Sequence, residues 1–249
     1  VSSWWLTVTD LTRAAAAALA APGPFVAVTG QPQVWLRAVS DAAARQLVSP
    51  GPTTRLSIAA GVVAGGHRAV VVVDGPLPPA AHAPAVIAVT GTAAVAAEAL
   101  QLGWQVIQPW SGADVAGLLS DTSPPALLLL GEHDAGDAAD LAPAHAVREW
   151  ERGDLATIAA SGAAVGTAVR LGDRLRARGV DIGVLELAVL TRPEHAALAG
   201  GAALFVAGRG AGHAWRRGEW PSVRVDTVPV AGVADADLVG AVLSLVPIG

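Results

Sequence analysis

Short aliphatic runs recur along the chain, separated by longer stretches in which apolar residues return at helical spacing, and this alternation predicts strand and helix in turn. The first half begins with a helix over 11–21, capped by Thr9 and stopped by Pro22-Gly23, and a buried strand over 25–29. A helix over 33–47 follows, ended by Ser49-Pro50-Gly51-Pro52, and a second helix over 54–64 closes at Gly65-Gly66. Strands at 69–73 and 85–89 bracket a proline-rich loop over 75–84. Helix 92–102, strand 105–107, helix 113–119 and strand 126–130 complete this unit. Such repetition predicts a parallel, doubly wound sheet.

Between residues 131 and 153 the aliphatic content falls, while Glu132, Asp134, Asp137, Asp140, Glu149 and Glu151 gather there, so the segment reads as a connection. A second alternation then begins, with strands at 155–160, 183–187, 203–207 and 223–228 and helices at 164–178 and 235–245. In helix 164–178 the pattern turns Val165, Val169, Leu171 and Leu175 to the sheet. It leaves Arg170, Arg174, Arg176 and Arg178 to solvent or to the helix's own C-terminal dipole. A length of 249 residues suits two such units, each with its own core.

Composition narrows the chemistry. Hydrophobic residues make up 53% of the chain and aromatics 4%, so the core is aliphatic, as strands covered on both faces require. Cys, Lys, Tyr, Met and Asn are absent, which excludes thiol nucleophiles, Schiff-base lysines and disulfides. The sixteen positive residues are scattered arginines and the net charge is −5, so neither nucleic acid nor a membrane surface is an expected partner. No aliphatic run approaches a membrane span and the start does not read as a signal peptide, so the expectation is a soluble, cytoplasmic protein.

Several residues invite chemical readings. Asp74 ends a strand at the edge where α/β sheets place ligands, although an Asp-Gly turn explains it as well. His82 lies in the proline-rich loop, either as a proton acceptor or as an exposed loop histidine. Ser161 follows a strand and opens a helix, but Ala159-Ala160-Ser161-Gly162-Ala163 lacks the flanking glycines of a nucleophile elbow. Gly208-Arg209-Gly210 has His213 where a dinucleotide fingerprint needs its third glycine. His213, Trp215 and Trp220, with Arg216 and Arg217, read instead as anchors facing a partner.

Two sets of segments carry a resemblance. Gly153-Asp154-Leu155-Ala156-Thr157-Ile158-Ala159-Ala160-Ser161-Gly162, a long helix, then Arg178-Gly179-Val180-Asp181-Ile182-Gly183-Val184-Leu185-Glu186-Leu187 form the first. Leu190-Thr191-Arg192-Pro193 and Phe205-Val206-Ala207-Gly208, running into Gly210-Ala211-Gly212-His213 as a glycine-rich loop, continue it. This set resembles the C-terminal domain of the transketolase superfamily. Ile58-Ala59-Ala60-Gly61, then Gly65-Gly66-His67-Arg68-Ala69-Val70-Val71-Val72, and Gly103-Trp104-Gln105-Val106-Ile107-Gln108-Pro109 are similar to its pyrimidine-binding domain. The resemblance runs from about Leu11 to Val246 and is nearest to the split form, such as the pyruvate dehydrogenase beta subunit.

It implies an α/β chain of two doubly wound, mainly parallel sheet domains: a pyrimidine-binding-like domain over 1–131, a linker over 132–152 and a transketolase C-terminal-like domain over 153–249. It also implies thiamine diphosphate as cofactor, with Thr53, Asp74, Leu77 and Thr90 on its side of the chain. The magnesium and diphosphate end would belong to a partner subunit, since no Gly-Asp-Gly motif with a downstream Asn occurs here. Self-pairing would then build a heterotetramer. The family's cofactor-activating glutamate has no counterpart: its position is Pro52, and the first glutamate of the chain is Glu98. Proline can neither give nor take the proton, which leaves His82 and Asp74 as substitutes. Two functions follow from the resemblance. One is a subunit, active only with its partner, of an enzyme transferring a two-carbon ketol or acyl unit. The other is a non-catalytic scaffold of such a complex. In the first case either a substitute acid acts, or an apolar pocket favours the reactive tautomer unaided.

Overall fold

The computed structural model describes residues 10–30, 37–49, 51–83, 85–130, 146–199, 203–219, 225–229 and 233–246. Its first half runs α1 (Asp10–Ala20), β1 (Phe25–Thr29), α2 (Arg37–Asp41), β2 (Arg45–Val48), α3 (Pro52–Ala64), β3 (Arg68–Val72), β4 (Ile87–Thr90), α4 (Ala93–Gln101), β5 (Gln105–Ile107), α5 (Gly112–Asp121) and β6 (Ala126–Leu129). The second half runs β7 (Val147–Glu151), β8 (Ala156–Ala160), α6 (Ala164–Arg176), β9 (Ile182–Leu187), β10 (Val189–Leu190), α7 (Ala196–Ala199), β11 (Ala203–Ala207), α8 (Ala211–Arg216), β12 (Val225–Pro229) and α9 (Asp235–Leu245).

Two sheets result, ordered β10-β5-β6-β4-β3-β1-β2 and β12-β11-β8-β9-β7. The first is parallel from β5 to β2, with β10 antiparallel at its edge. In the second, β8 and β9 pair in parallel, while β7, β11 and β12 join antiparallel. The chain is thus a two-sheet α/β protein, as the alternation implies, but only the first sheet is mainly parallel. The second, expected to be parallel too, is mainly antiparallel because β7, β11 and β12 all join it through antiparallel pairings.

The aliphatic runs explain the layering. Strands such as β3 and β6 are buried almost end to end, because helices seal both faces. Leu11, Leu19, Val115 and Leu128 fill one face under α1 and α5. Leu56, Val71, Val95 and Trp104 fill the other under α3 and α4. Each such Val or Leu contributes about 1.5–3 kcal/mol relative to exposure. That second core runs on through Leu190 to Leu185, Leu187 and Phe205 of the other sheet and to Trp215 on α8. The crossing point is Ala188, fully buried, the one residue between β9 and β10.

The structure departs from the predicted elements in several places, adding β10 and α7 among them. Where a helix over 33–47 was expected, α2 ends at Asp41 and β2 follows; residues 31–36 lie outside the described residues. β2 has one neighbour and exposed side chains, so no apolar alternation marks it. The charged segment 147–151, read as part of the connection, is β7, an edge strand on β9. Residues 211–216, read as a glycine-rich loop, form α8. Trp215 on that helix is 3% exposed, so it is a core residue and not a partner-facing anchor; Trp220 lies outside the described residues.

Candidate functional site

The chain passes from β1 to β2 on one side and returns to β3 on the other, so the order of the first sheet reverses between β1 and β3. Crevices of open α/β sheets form at that reversal, outside the carboxyl ends of the strands. Gly30 follows β1 there, Asp74 follows β3, and α3 begins beside them. Pro52 occupies the first turn of α3, where its missing N–H costs nothing. A Cβ on Gly75 would lie 3.2 Å from the Pro52 ring, which places the Asp74-Gly75 turn against the helix start.

One turn into α3, Arg55 points into this crevice and is 2% exposed. Its Nη1 donates to the Val72 carbonyl at 2.6 Å and its Nη2 to Asp74 Oδ1 at 2.5 Å. Gly30 makes room for the guanidinium, since a Cβ there would stand 2.9 Å from Nη1. Arg55 Nε is buried without a hydrogen-bond partner. The crevice edge therefore holds a closed ion pair between one buried cation and one half-exposed carboxylate.

The other predicted positions scatter. Thr90, fully buried at the end of β4, spends its Oγ1 accepting from the Thr92 N–H at 3.1 Å. Thr53 is exposed on α3, and Leu77 is buried in the core. His82 lies at the opposite edge of the sheet. The segment after Asp74 descends along the sheet face, so that Pro78 O accepts from Trp104 Nε1 and Ala80 N donates to Leu102 O, both just before β5 starts. His82 ends the short turn that begins at Ala80 and is exposed. Strands rise about 3.3 Å per residue, so a strand of this length separates it from Asp74. Asp74, Pro52, Thr53 and Thr90 share the carboxyl edge; His82 does not.

A second polar cluster, absent from the sequence reading, joins the two sheets. Arg148 on β7 reaches Asp114 on α5 at 2.5 Å and Glu186 on β9 at 3.3 Å. Trp150 Nε1 donates to Glu186 Oε2 at 3.2 Å, and Ser111 Oγ donates to Asp114 Oδ2 at 3.0 Å. Trp150 meets Trp110 edge to face at 5.0 Å. Glu186 is fully buried, and burial pushes its carboxyl up to about 7 against the opposing pull of Arg148. The signal that marks it in the sequence is a lone carboxylate inside the apolar run of β9.

Elsewhere, a cavity of about 200 Å³ opens between β7, β10 and α8, lined among others by Val147, Val189, His195 and Trp215. His195 accepts from the Thr191 N–H at 3.3 Å, and burial lowers its pKa to about 4. Ser161 is fully buried, so no nucleophile elbow is presented. Arg170, Arg174 and Arg178 are exposed as expected, while Arg176 bridges Asp173 and Glu151. His213 is exposed and bonded to Arg216, which also pairs with Glu149. Among the described residues no cluster of His, Asp and Glu could hold a metal ion, and no helix is long and apolar enough to cross a membrane.

No protein-family model matches the sequence, and no curated protein matches it. Solved structures do. The chain is similar to one described as "Split gene transketolase, inactive beta4 tetramer", with a TM-score of 0.55 and 17% identity over 74% of this chain and 72% of that one. It is also similar to transketolase from Campylobacter jejuni subsp. jejuni, with a TM-score of 0.55 and 10% identity over 75% of this chain. There it spans only 37% of the longer protein. The likeness is one of fold: the chain shares the fold of these two structures.

Proposed function

We propose that this chain is the second subunit of a split transketolase-like enzyme that moves a two-carbon ketol or acyl unit, and that it serves the complex as scaffold rather than as the source of the cofactor-activating acid. The observation that carries the reading is Arg55. Thiamine diphosphate is the cofactor the fold implies, and its pyrimidine side calls for a carboxylate near the start of α3. The residues here do not fit that need. Pro52 holds the position, the only nearby described carboxylate is Asp74, and Arg55 already engages it at 2.5 Å. A guanidinium offers donors and no acceptor, so it cannot stand in for a carboxylate in a proton relay.

The scaffold role rests on what the chain does offer: a two-sheet body tied at Ala188, with a diphosphate-binding partner supplying the rest of the site. Co-expression with the subunit encoded beside it tests this. The pair is expected to co-purify and to bind thiamine diphosphate with magnesium, while this chain alone shows no heat of binding in calorimetry. Turnover of the complex is expected to survive Thr90→Val and Thr53→Ala. A folded complex that loses turnover in either variant would return the crevice to a cofactor role and remove the scaffold reading.

A further inference from the structure

The junction between the two sheets holds one guanidinium between two buried carboxylates. Arg148 is 12% exposed, Asp114 2% and Glu186 0%. Ionising Glu186 would place its charge where no water reaches it, a costly state. The two acids are not equivalent. Asp114 lies in the first turn of α5, where the helix dipole favours negative charge, accepts from Ser111 and takes the shorter contact with Arg148. Glu186 sits mid-strand in β9 with no dipole to help it. Its Oε2 accepts from Trp150 and faces Arg148 Nη1 at 3.3 Å, whereas Oε1 is buried without a hydrogen-bond partner and is the atom left to carry a proton.

We propose that Glu186, Arg148 and Asp114 form a proton-dependent clamp between the two sheets, closed when Glu186 is neutral and loosened when it ionises inside the buried junction. The elements around Glu186 define the device. β7 presents Arg148 and Trp150, α5 presents Asp114, and the segment before it presents the Trp110 backbone N–H. α6 brings Arg170 and Trp110 together over Gly166. The remaining charges of β7 are turned to other partners: Glu149 to Arg152 and Arg216, Glu151 to Arg176. β7 is an edge strand, held to the second sheet by β9 alone and to α5 of the first by Arg148. Release of the clamp therefore frees this strand first. The position of the transition, about pH 7, agrees with the raised pKa of Glu186.

Trp150 is a built-in reporter, because it donates to Glu186, meets Trp110 and lies 5.5 Å from the Arg148 guanidinium. The test is a tryptophan-fluorescence titration of the full chain between about pH 5.5 and pH 8.5, alongside amide exchange across residues 147–151. The wild-type chain should show a fluorescence midpoint near pH 7. Exchange in β7, corrected for intrinsic rates, should slow about tenfold from pH 8 to pH 6, the effect of 1.4 kcal/mol on a local opening. Glu186→Gln, which mimics the neutral acid, should remove the midpoint and hold the slow exchange at both pH values. A titration that persists in Glu186→Gln would overturn the clamp, as would a wild-type chain with no transition. Failure of Glu186→Gln to fold would also count against it, since the neutral form is the closed one. Trp150→Phe should abolish the fluorescence change yet keep the exchange transition, which a general loosening of the fold would not do.

Discussion

Arg55 is almost wholly buried and Asp74, 2.5 Å away, keeps 35% of its side chain in water, so the two ends of this pair differ in what their loss would cost. Removing Asp74 strands a buried cation beside Gly30, whereas removing Arg55 lets the carboxylate rehydrate. Asp74→Ala is therefore expected to destabilise by about 3–5 kcal/mol, and Arg55→Met, of similar volume, by less than about 2 kcal/mol. Urea unfolding of both variants checks the order. Equal losses would mean that the Val72 carbonyl contact, not the charge pair, dominates.

Pro52→Glu places an acid at the start of α3, where the proposed function lacks one and where it also suits the helix dipole. Stability is expected to change by less than about 1 kcal/mol. Arg55 lies three residues on, so the new carboxylate pairs with it rather than standing ready for a ligand. Calorimetry with thiamine diphosphate should show no binding gained by the chain alone, and the complex no gain in turnover. A measurable gain in either would mean that Arg55 yields the crevice.

Two glycines test how tightly the second sheet is built. A Cβ on Gly153 would stand 2.2 Å from Gly183 N and Ile182 C, which are backbone atoms that cannot swing aside. Gly153→Ala is expected to cost more than about 4 kcal/mol or to prevent folding. Gly61, exposed within α3 with nothing inside 4 Å of its Cβ position, is the control: Gly61→Ala should stabilise by about 0.5–1 kcal/mol. Thermal melts of the two variants should move in opposite directions.

What the sequence reveals follows from where polar groups sit. β1, β5 and α9 are legible because their apolar residues follow one period without interruption. β7 is hidden because Arg148, Glu149 and Glu151 make its apolar pattern vanish, although all three charges are spent on buried or part-buried partners. β2 is hidden because an exposed edge strand needs no apolar face. At the crevice, Asp74 and Pro52 were visible as the end of a strand and the start of a helix. Arg55 was not, because an arginine on a helix reads as solvated, and only the three-dimensional meeting of Gly30, Val72 and Asp74 gives it a buried place. The path of the loop that carries His82 is not legible in the sequence, because its descent to the opposite edge depends on Trp104 and Leu102, far along the chain.

Glu186 and His195, the buried groups with large shifts among the described residues, act on the pH profile of stability with opposing signs. Glu186 is raised from 4.5 to about 7, so the folded state holds an extra proton between those values and this contribution falls as pH rises through about 7. His195 is lowered from 6.5 to about 4, so the unfolded state holds the extra proton and this contribution falls as pH drops from 6.5 through about 4. Each is worth on the order of 3 kcal/mol across its window. From about pH 4.5 to 6.5 folding moves the count of one proton from His195 to Glu186 without changing the total, so the wild-type profile is flat there. Glu186→Gln removes one side of this balance, and stability should then rise from about pH 4 to 6.5 and level off. His195→Gln removes the other, and stability should fall from about pH 4.5 to 7. Urea midpoints measured across about pH 4–8 distinguish the three profiles. Two variants that both retain the wild-type plateau would show that neither group titrates as its burial requires.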